Sequence, residues 1–139
     1  MGQKTFSIIK PDGVRQRDAG KILAKIEEAG FEILGLRMIR MTKRHAEGFY
    51  AIHKERPFFG SLTEFMSSGP CIVMVLEKDN AIDDLRKLMG ATDPKNADEG
   101  TIRKEFASSV EANVIHGSDS SESAAIEIPY FFTSLQIQR

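Results

Sequence analysis

Along this chain apolar residues alternate with polar ones in some stretches and recur every three to four positions in others. The changes of period divide it into elements. Thr5 to Ile9 is a short apolar run rich in strand formers, closed by the turn signal Pro11-Asp12-Gly13. Ile22, Leu23, Ile26 and Ala29 then fall at helical spacing, and Gly30 is placed like a helix-ending glycine. From Ile33 to Met41 the period becomes two. Leu34, Leu36 and Met38 share one predicted face, and Ile33, Ile39 and Met41 the other. Thr42 reads as the cap of a helix running to His53. Pro57-Phe58-Phe59-Gly60 punctuates the chain, and a short helix through Leu62, Phe65 and Met66 ends at Ser67-Ser68-Gly69-Pro70. Cys71 to Leu76 is the longest uninterrupted apolar run, long enough for a buried strand and far too short for a membrane span. Asn80 reads as the cap of a helix carrying Ile82, Leu85, Leu88 and Met89. Gly90 to Gly100 is a long loop, the kind of segment that carries function. Asn113 to His116 is a last short strand, and Gly117-Ser118-Asp119-Ser120 opens a final helix that Pro129 should end or kink.

Reduced to its main elements the order is βαββαβ. That predicts an α+β, ferredoxin-like fold, a four-stranded antiparallel sheet covered by helices, in a single domain over residues 1–139. The fold hosts many activities and decides little about this one. Charge narrows the field: 19 Lys and Arg against 20 Asp and Glu lack the excess of a general polyanion binder. The single cysteine, Cys71, excludes an intrachain disulfide, and no Cys/His cluster has zinc spacing. Met1-Gly2-Gln3-Lys4-Thr5-Phe6 has no apolar stretch of signal length, and Phe6 stands where myristoylation needs Ser or Thr. The expectation is a soluble, cytoplasmic protein without a membrane partner.

Four segments carry candidate chemistry. In Asn113-Val114-Ile115-His116-Gly117-Ser118-Asp119-Ser120 a histidine closes a strand beside hydroxyls and a helix N-terminus, a setting that attracts phosphate. Histidine is a competent nucleophile near neutral pH, and Glu127, further along the helix, can return to orient the ring. Equally, a strand-end histidine can simply be hydrogen-bonded in a loop. Lys10 ends a buried strand just before a sharp turn, so its ammonium can emerge into a cleft, although an ordinary surface lysine fits the same pattern. Arg86, Thr92 and Arg103 bracket the long loop and suit a polyphosphate, or are solvated helix charges. In Arg56-Pro57-Phe58-Phe59 one Phe suits the core and its neighbour a stacking surface for a base. Gly13 to Gly20-Lys21-Ile22 is not a Walker A loop, because the gap is too long and Ile22 stands where Ser or Thr must reach magnesium. His45 and His53 read as helix residues with no role.

Taken together these segments resemble nucleoside diphosphate kinase. The matching stretches, in order, are Ile9-Lys10-Pro11-Asp12-Gly13-Val14, Arg56-Pro57-Phe58-Phe59, Ser68-Gly69-Pro70, Gly90-Ala91-Thr92-Asp93-Pro94, Gly100-Thr101-Ile102-Arg103 and the His116 segment, extended by Glu122-Ser123-Ala124-Ala125 and Glu127-Ile128. The resemblance implies a double displacement. His116 attacks the γ-phosphate of a nucleoside triphosphate such as ATP, becomes a phosphohistidine, and passes the group to a nucleoside diphosphate of almost any base. It further implies that Lys10 contacts phosphate and the ribose 3′-hydroxyl, shared with Asn113. Arg86, Thr92 and Arg103 hold phosphates, and Mg2+ is bound through nucleotide oxygens rather than protein ligands. Tyr50 lies near the transferring group, Phe58 and Val110 sandwich the base, and Glu127 with Ser118 orients His116. The family forms homo-oligomers. The chain stops at Arg139 without the longer tail of eukaryotic members, so a bacterial-type homotetramer is expected, with a homohexamer as the alternative and no nucleic acid required. Asp93 replaces the commoner Asn before Pro94, placing a negative charge beside the phosphate loop. The competing reading is a non-catalytic nucleotide- or RNA-binding ferredoxin-like module. Glu47-Gly48-Phe49-Tyr50-Ala51-Ile52 only faintly echoes an RNA-recognition motif, within a helical pattern.

Overall fold

The computed structural model describes residues 2–138, so readings that fall on Met1 and Arg139 lie outside the described residues. Four strands, β1 (Gln3–Ile9), β2 (Glu32–Arg40), β3 (Pro70–Lys78) and β4 (Ile115–Gly117), form one antiparallel sheet in the order β2-β3-β1-β4. This is the ferredoxin-like arrangement. Seven helices accompany it among the described residues: α1 (Pro11–Arg15), α2 (Ala19–Glu28), α3 (Lys43–Phe49), α4 (Phe59–Met66), α5 (Ala81–Met89), α6 (Ile102–Phe106) and α7 (Ser121–Phe131).

The apolar run of β3 explains the layering. Ile72, Met74 and Leu76 point to one face, where they meet Ile22 and Ile26 of α2 and Leu85 and Met89 of α5. Cys71, Val73 and Val75 point to the other, where Ala46 of α3, Met66 of α4 and partly buried residues of α7 cover them. Both faces are covered, so a central strand is apolar throughout and loses the alternation of a half-exposed one. Among the described residues no helix is long and apolar enough to cross a membrane.

Several local expectations are revised. Pro11-Asp12-Gly13 opens α1 instead of making an isolated turn, because Pro11 at the first helical position loses no hydrogen bond and has a suitable φ. Gly30 does end α2, at φ +94°, with its N–H on Glu27 and that of Phe31 on Ile26. In β2 the strict alternation fails. A bulge lies between Ile33 and Gly35, so Leu34 joins Ile39 and Met41 on the α3/α7 side, while Leu36 and Met38 are left exposed. The helix after Thr42 stops at Phe49, and Ala51–His53 form a short 3-10 turn. Asn80 occupies the cap position of α5, but its side chain donates to Asp84. Gln3 Oε1 accepts the Ile82 N–H instead, at 3.0 Å. Pro129 does not end α7, which continues to Phe131. It falls in the last turn, and the carbonyl it leaves without a donor, on Ala125, belongs to an exposed residue.

Candidate active site

β4 is an edge strand of three residues, and its alternation places the histidine. Ile115 is buried against α2 and α5, so His116 points to the opposite side, into a nest of aromatic rings. Phe49 and Tyr50 meet its ring nearly edge-on, with centroids at 5.4 and 6.3 Å. Nε2 lies 3.0 Å from Glu127 Oε1, and Ser118 Oγ donates to that same oxygen at 2.8 Å. Ser118, almost fully buried, is itself held by the backbone of Phe6. Glu127 is delivered by α7, whose start is fixed by Ser120 accepting the Ser123 N–H. An imidazole that donates from Nε2 to a carboxylate carries its lone pair on Nδ1, and this tautomer follows from the partner.

His116, Tyr50 and Glu127 share a cavity of about 610 Å³ with Arg86, Thr92 and Arg103. That volume suits a nucleotide-sized ligand. The two arginines differ in kind. Arg86 is exposed on α5 and pairs with Asp119. Arg103 is buried and donates to three backbone carbonyls: Gly90 at 3.1 Å, Asn113 at 3.4 Å and Ile115 at 2.7 Å. Burial first, and then the charge of Arg86, lower its pKa to about 10, so it remains a cation at neutral pH. Burial, reinforced by the charge of Glu127, raises the Tyr50 hydroxyl above the usual tyrosine range and keeps it a donor.

Lys10 and Asn113 sit side by side behind this wall. The ammonium donates to Asn113 Oδ1 at 2.8 Å and to the Glu111 carbonyl at 2.9 Å, and Asn113 Nδ2 donates to the Thr92 carbonyl at 3.2 Å. Burial pulls the Lys10 pKa down to about 8. Asp12 and Glu111 oppose the fall and Arg103 adds to it. The structure does not bring Phe58 and Val110 into the cavity lining; both stand exposed, Phe58 beside the lining residue His53. Ser61, three residues past Phe58, donates to the carboxylate of Glu111, the neighbour of Val110, at 2.9 Å, which ties the two segments together.

Sequence reasoning passed over His53, Phe49 and Asp119, all of which line the cavity. His53 stacks on Tyr50 at 6.5 Å and lies 5.7 Å from Phe58. The i, i+3 spacing from Tyr50 was the available signal. Asp93 does not line the cavity; its carboxylate accepts the Lys95 N–H at 3.0 Å and starts the Pro94–Asn96 turn. Asn can make the same cap, so Asp93→Asn should change the nucleotide KM by less than about twofold. A larger fall in steady-state KM contradicts that placement.

No three His, Cys, Asp or Glu side chains converge among the described residues in a way that could hold a metal ion. The cavity lining sets the basic side chains of Arg86, Lys87 and Arg103 beside the imidazole of His116, with Asp98, Asp119 and Glu127 as its carboxylates.

A model of the nucleoside diphosphate kinase family matches residues 3–137. The nucleoside diphosphate kinase of Geotalea daltonii is 61% identical over 97% of this chain and 98% of its own length. That of Nitratidesulfovibrio vulgaris is 57% identical over 99% of each. Among solved structures, the Aquifex aeolicus nucleoside diphosphate kinase superposes with a TM-score of 0.97 at 43% identity, covering 99% of both chains. The Halobacterium salinarum enzyme in complex with CDP gives 0.94 at 37%, covering 99% of this chain and 91% of that one. Sequence and fold agree, and the chain belongs to the nucleoside diphosphate kinase family, phosphotransferases that work through a phosphohistidine.

Proposed function

We propose that His116 is the phosphate carrier and that Nδ1 is its nucleophilic atom. The observation that carries this is the Nε2 contact with Glu127, which leaves Nδ1 as the ring's base in a cavity shared with Arg86 and Arg103. In the first half-reaction an Nδ1–P bond forms, the bond from the γ-phosphorus to the β,γ-bridging oxygen breaks, and a nucleoside diphosphate leaves. In the second, a terminal phosphate oxygen of another nucleoside diphosphate attacks the phosphorus and the N–P bond breaks. Such transfer needs position and charge compensation above all. Glu127, steadied by Ser118, stabilises the positive charge the ring gains. Arg86, Thr92 and Arg103 hold the phosphates, and Tyr50 donates towards the moving group. By resemblance to the family, Mg2+ would be held through the nucleotide's phosphates and would supply charge compensation there, beside Arg86, Thr92 and Arg103. Phe58 and Val110 take the base between them by its π-face, which every base has, so base tolerance is broad.

The test is labelling. Exposed to γ-labelled ATP and magnesium, the native protein should take up label in an acid-labile, base-stable form and lose it to unlabelled GDP. A folded, nucleotide-binding protein that takes up no label removes the double displacement. Lys10 and Asn113 are proposed to hold the ribose 3′-hydroxyl. A 2′,3′-dideoxy diphosphate should therefore be used at least about tenfold less well, by kcat/KM, than its 2′-deoxy counterpart. Equal use of the two contradicts the assignment. By resemblance, the whole chain serves as one catalytic domain of a cytoplasmic homotetramer, with a hexamer as the alternative assembly.

A further inference from the structure

Asp12 follows Lys10 by two residues, and the transfer as described gives it no part. It is only 6% exposed. Its Oδ2 accepts the N–H of Val114 at 3.1 Å, while Oδ1 is buried with no partner. The carbonyl of Val114 accepts the Lys10 N–H at 2.8 Å. Both backbone polar groups of Val114 thus end on the residues that open α1. Val114 needs such holding, because its φ is +62°. A β-branched residue in the left-handed region is strained, by roughly 1–2 kcal/mol. The Ile115 N–H bonds back to the Asn113 carbonyl at 2.8 Å, closing a three-residue turn around Val114. That turn sends the Asn113 side chain to Lys10 and, two residues later, His116 into the cavity. Gly13 permits the close approach: a Cβ there would meet Ile9 Cγ2 at 3.1 Å and the Val114 carbonyl at 3.4 Å.

We propose that Asp12 is a positioning residue for phosphoryl transfer, its carboxylate pinning Val114 in the left-handed turn so that Asn113 and His116 stand in register with Lys10. The inference rests on the reading of Lys10 and Asn113 as sugar and phosphate contacts. The same carboxylate helps keep Lys10 charged. Asp12 on α1 and Glu111 before β4 favour the ammonium, Arg103 on α6 opposes it, and Phe65 of α4, whose ring lies under both Lys10 and Arg15, does not titrate. Lys10 loses its proton above about pH 8, so kcat/KM should fall on the alkaline side from there.

Two substitutions separate the functions. Asp12→Asn keeps an acceptor for the Val114 N–H and removes the charge, whereas Asp12→Ala removes both. The measurement is kcat/KM against pH for a 2′-deoxy and a 2′,3′-dideoxy diphosphate. Asp12→Asn should move the alkaline midpoint down by about one pH unit and keep the sugar preference. Asp12→Ala should also reduce that preference, by about tenfold, because Asn113 is no longer held. If both variants merely melt earlier, with alkaline midpoint and sugar preference unchanged, Asp12 is structural and the proposal is overturned. Lys10→Ala, measured alongside on its residual activity, distinguishes the two levels. If it alters the alkaline limb and the sugar preference while the Asp12 variants do not, only Asp12's role fails. If it alters neither, the reading of Lys10 fails and takes this inference with it.

Discussion

Alanine at His116 should bring phosphoenzyme labelling to background and lower turnover by about 10⁴-fold or more, since the carrier atom itself is gone. The hydroxyls nearest the ring are not free to take over. Ser118 is buried with its hydroxyl on Glu127, and the Tyr50 hydroxyl keeps its proton. The fold should survive, because the imidazole is an edge-strand side chain about one-fifth exposed and Glu127 keeps its bond from Ser118. Melting should therefore stay within a few degrees of the native protein, a change of under about 1 kcal/mol. A folded variant that retained a hundredth of native turnover would rule out His116 as the obligatory carrier.

Arg103→Ala should damage fold and activity together. The guanidinium spans three carbonyls that belong to separate parts of the site: the end of α5, the turn before β4, and β4 itself. Alanine takes the guanidinium donor from all three; the Asn113 carbonyl keeps another, the Ile115 N–H, and the expected cost is about 3–5 kcal/mol in urea unfolding. That is a large share of the stability of an ordinary domain. Activity should fall by about 10²–10³-fold through the lost phosphate charge. Lysine keeps the charge but lacks the fork, so Arg103→Lys should recover part of the activity and little of the stability. Arg86→Ala is the contrast. Its side chain is half exposed and its partner Asp119 more so, so the stability change should stay below about 1 kcal/mol while activity still drops. Equal stability losses for the two arginines would mean that the carbonyl contacts of Arg103 carry no special weight.

The sequence revealed much of this molecule where a residue's role follows from local pattern. The unbroken run in β3 reported a strand covered on both faces, and Gly30 reported its helix end. His116, Lys10, Arg86, Thr92, Arg103, Asn113 and Glu127 were legible only as an ordered set. Each alone has an ordinary explanation, and the resemblance to a family supplied the weight that spacing could not. What stayed hidden depends on geometry between distant segments. The bulge at Leu34 inverts the faces of β2, and the one local signal for it, Gly35, does not say which way the faces shift. Gln3 caps a helix 79 residues away, a partner no window on Asn80 contains. Asp12 reads as a turn former, and its work on Val114 appears only when β1 and β4 lie together. The free nitrogen of His116 was likewise unreadable until α7 placed Glu127 against the other one.

The sheet order also has a consequence for synthesis. β1, made first, lies between β3 and β4, and its neighbours are residues 70–78 and 115–117. While the ribosome works towards Lys78, at roughly 5–20 residues per second, the opening strand has no partner of its own chain for several seconds. Its edge is open to other nascent chains for that time. His116 comes later still, on the strand that closes the sheet, so if it is the carrier proposed above, a chain interrupted before residue 115 should have no partial activity to contribute. On the proposed reading, phosphate transfer waits until β4 has been made and has closed the sheet against β1.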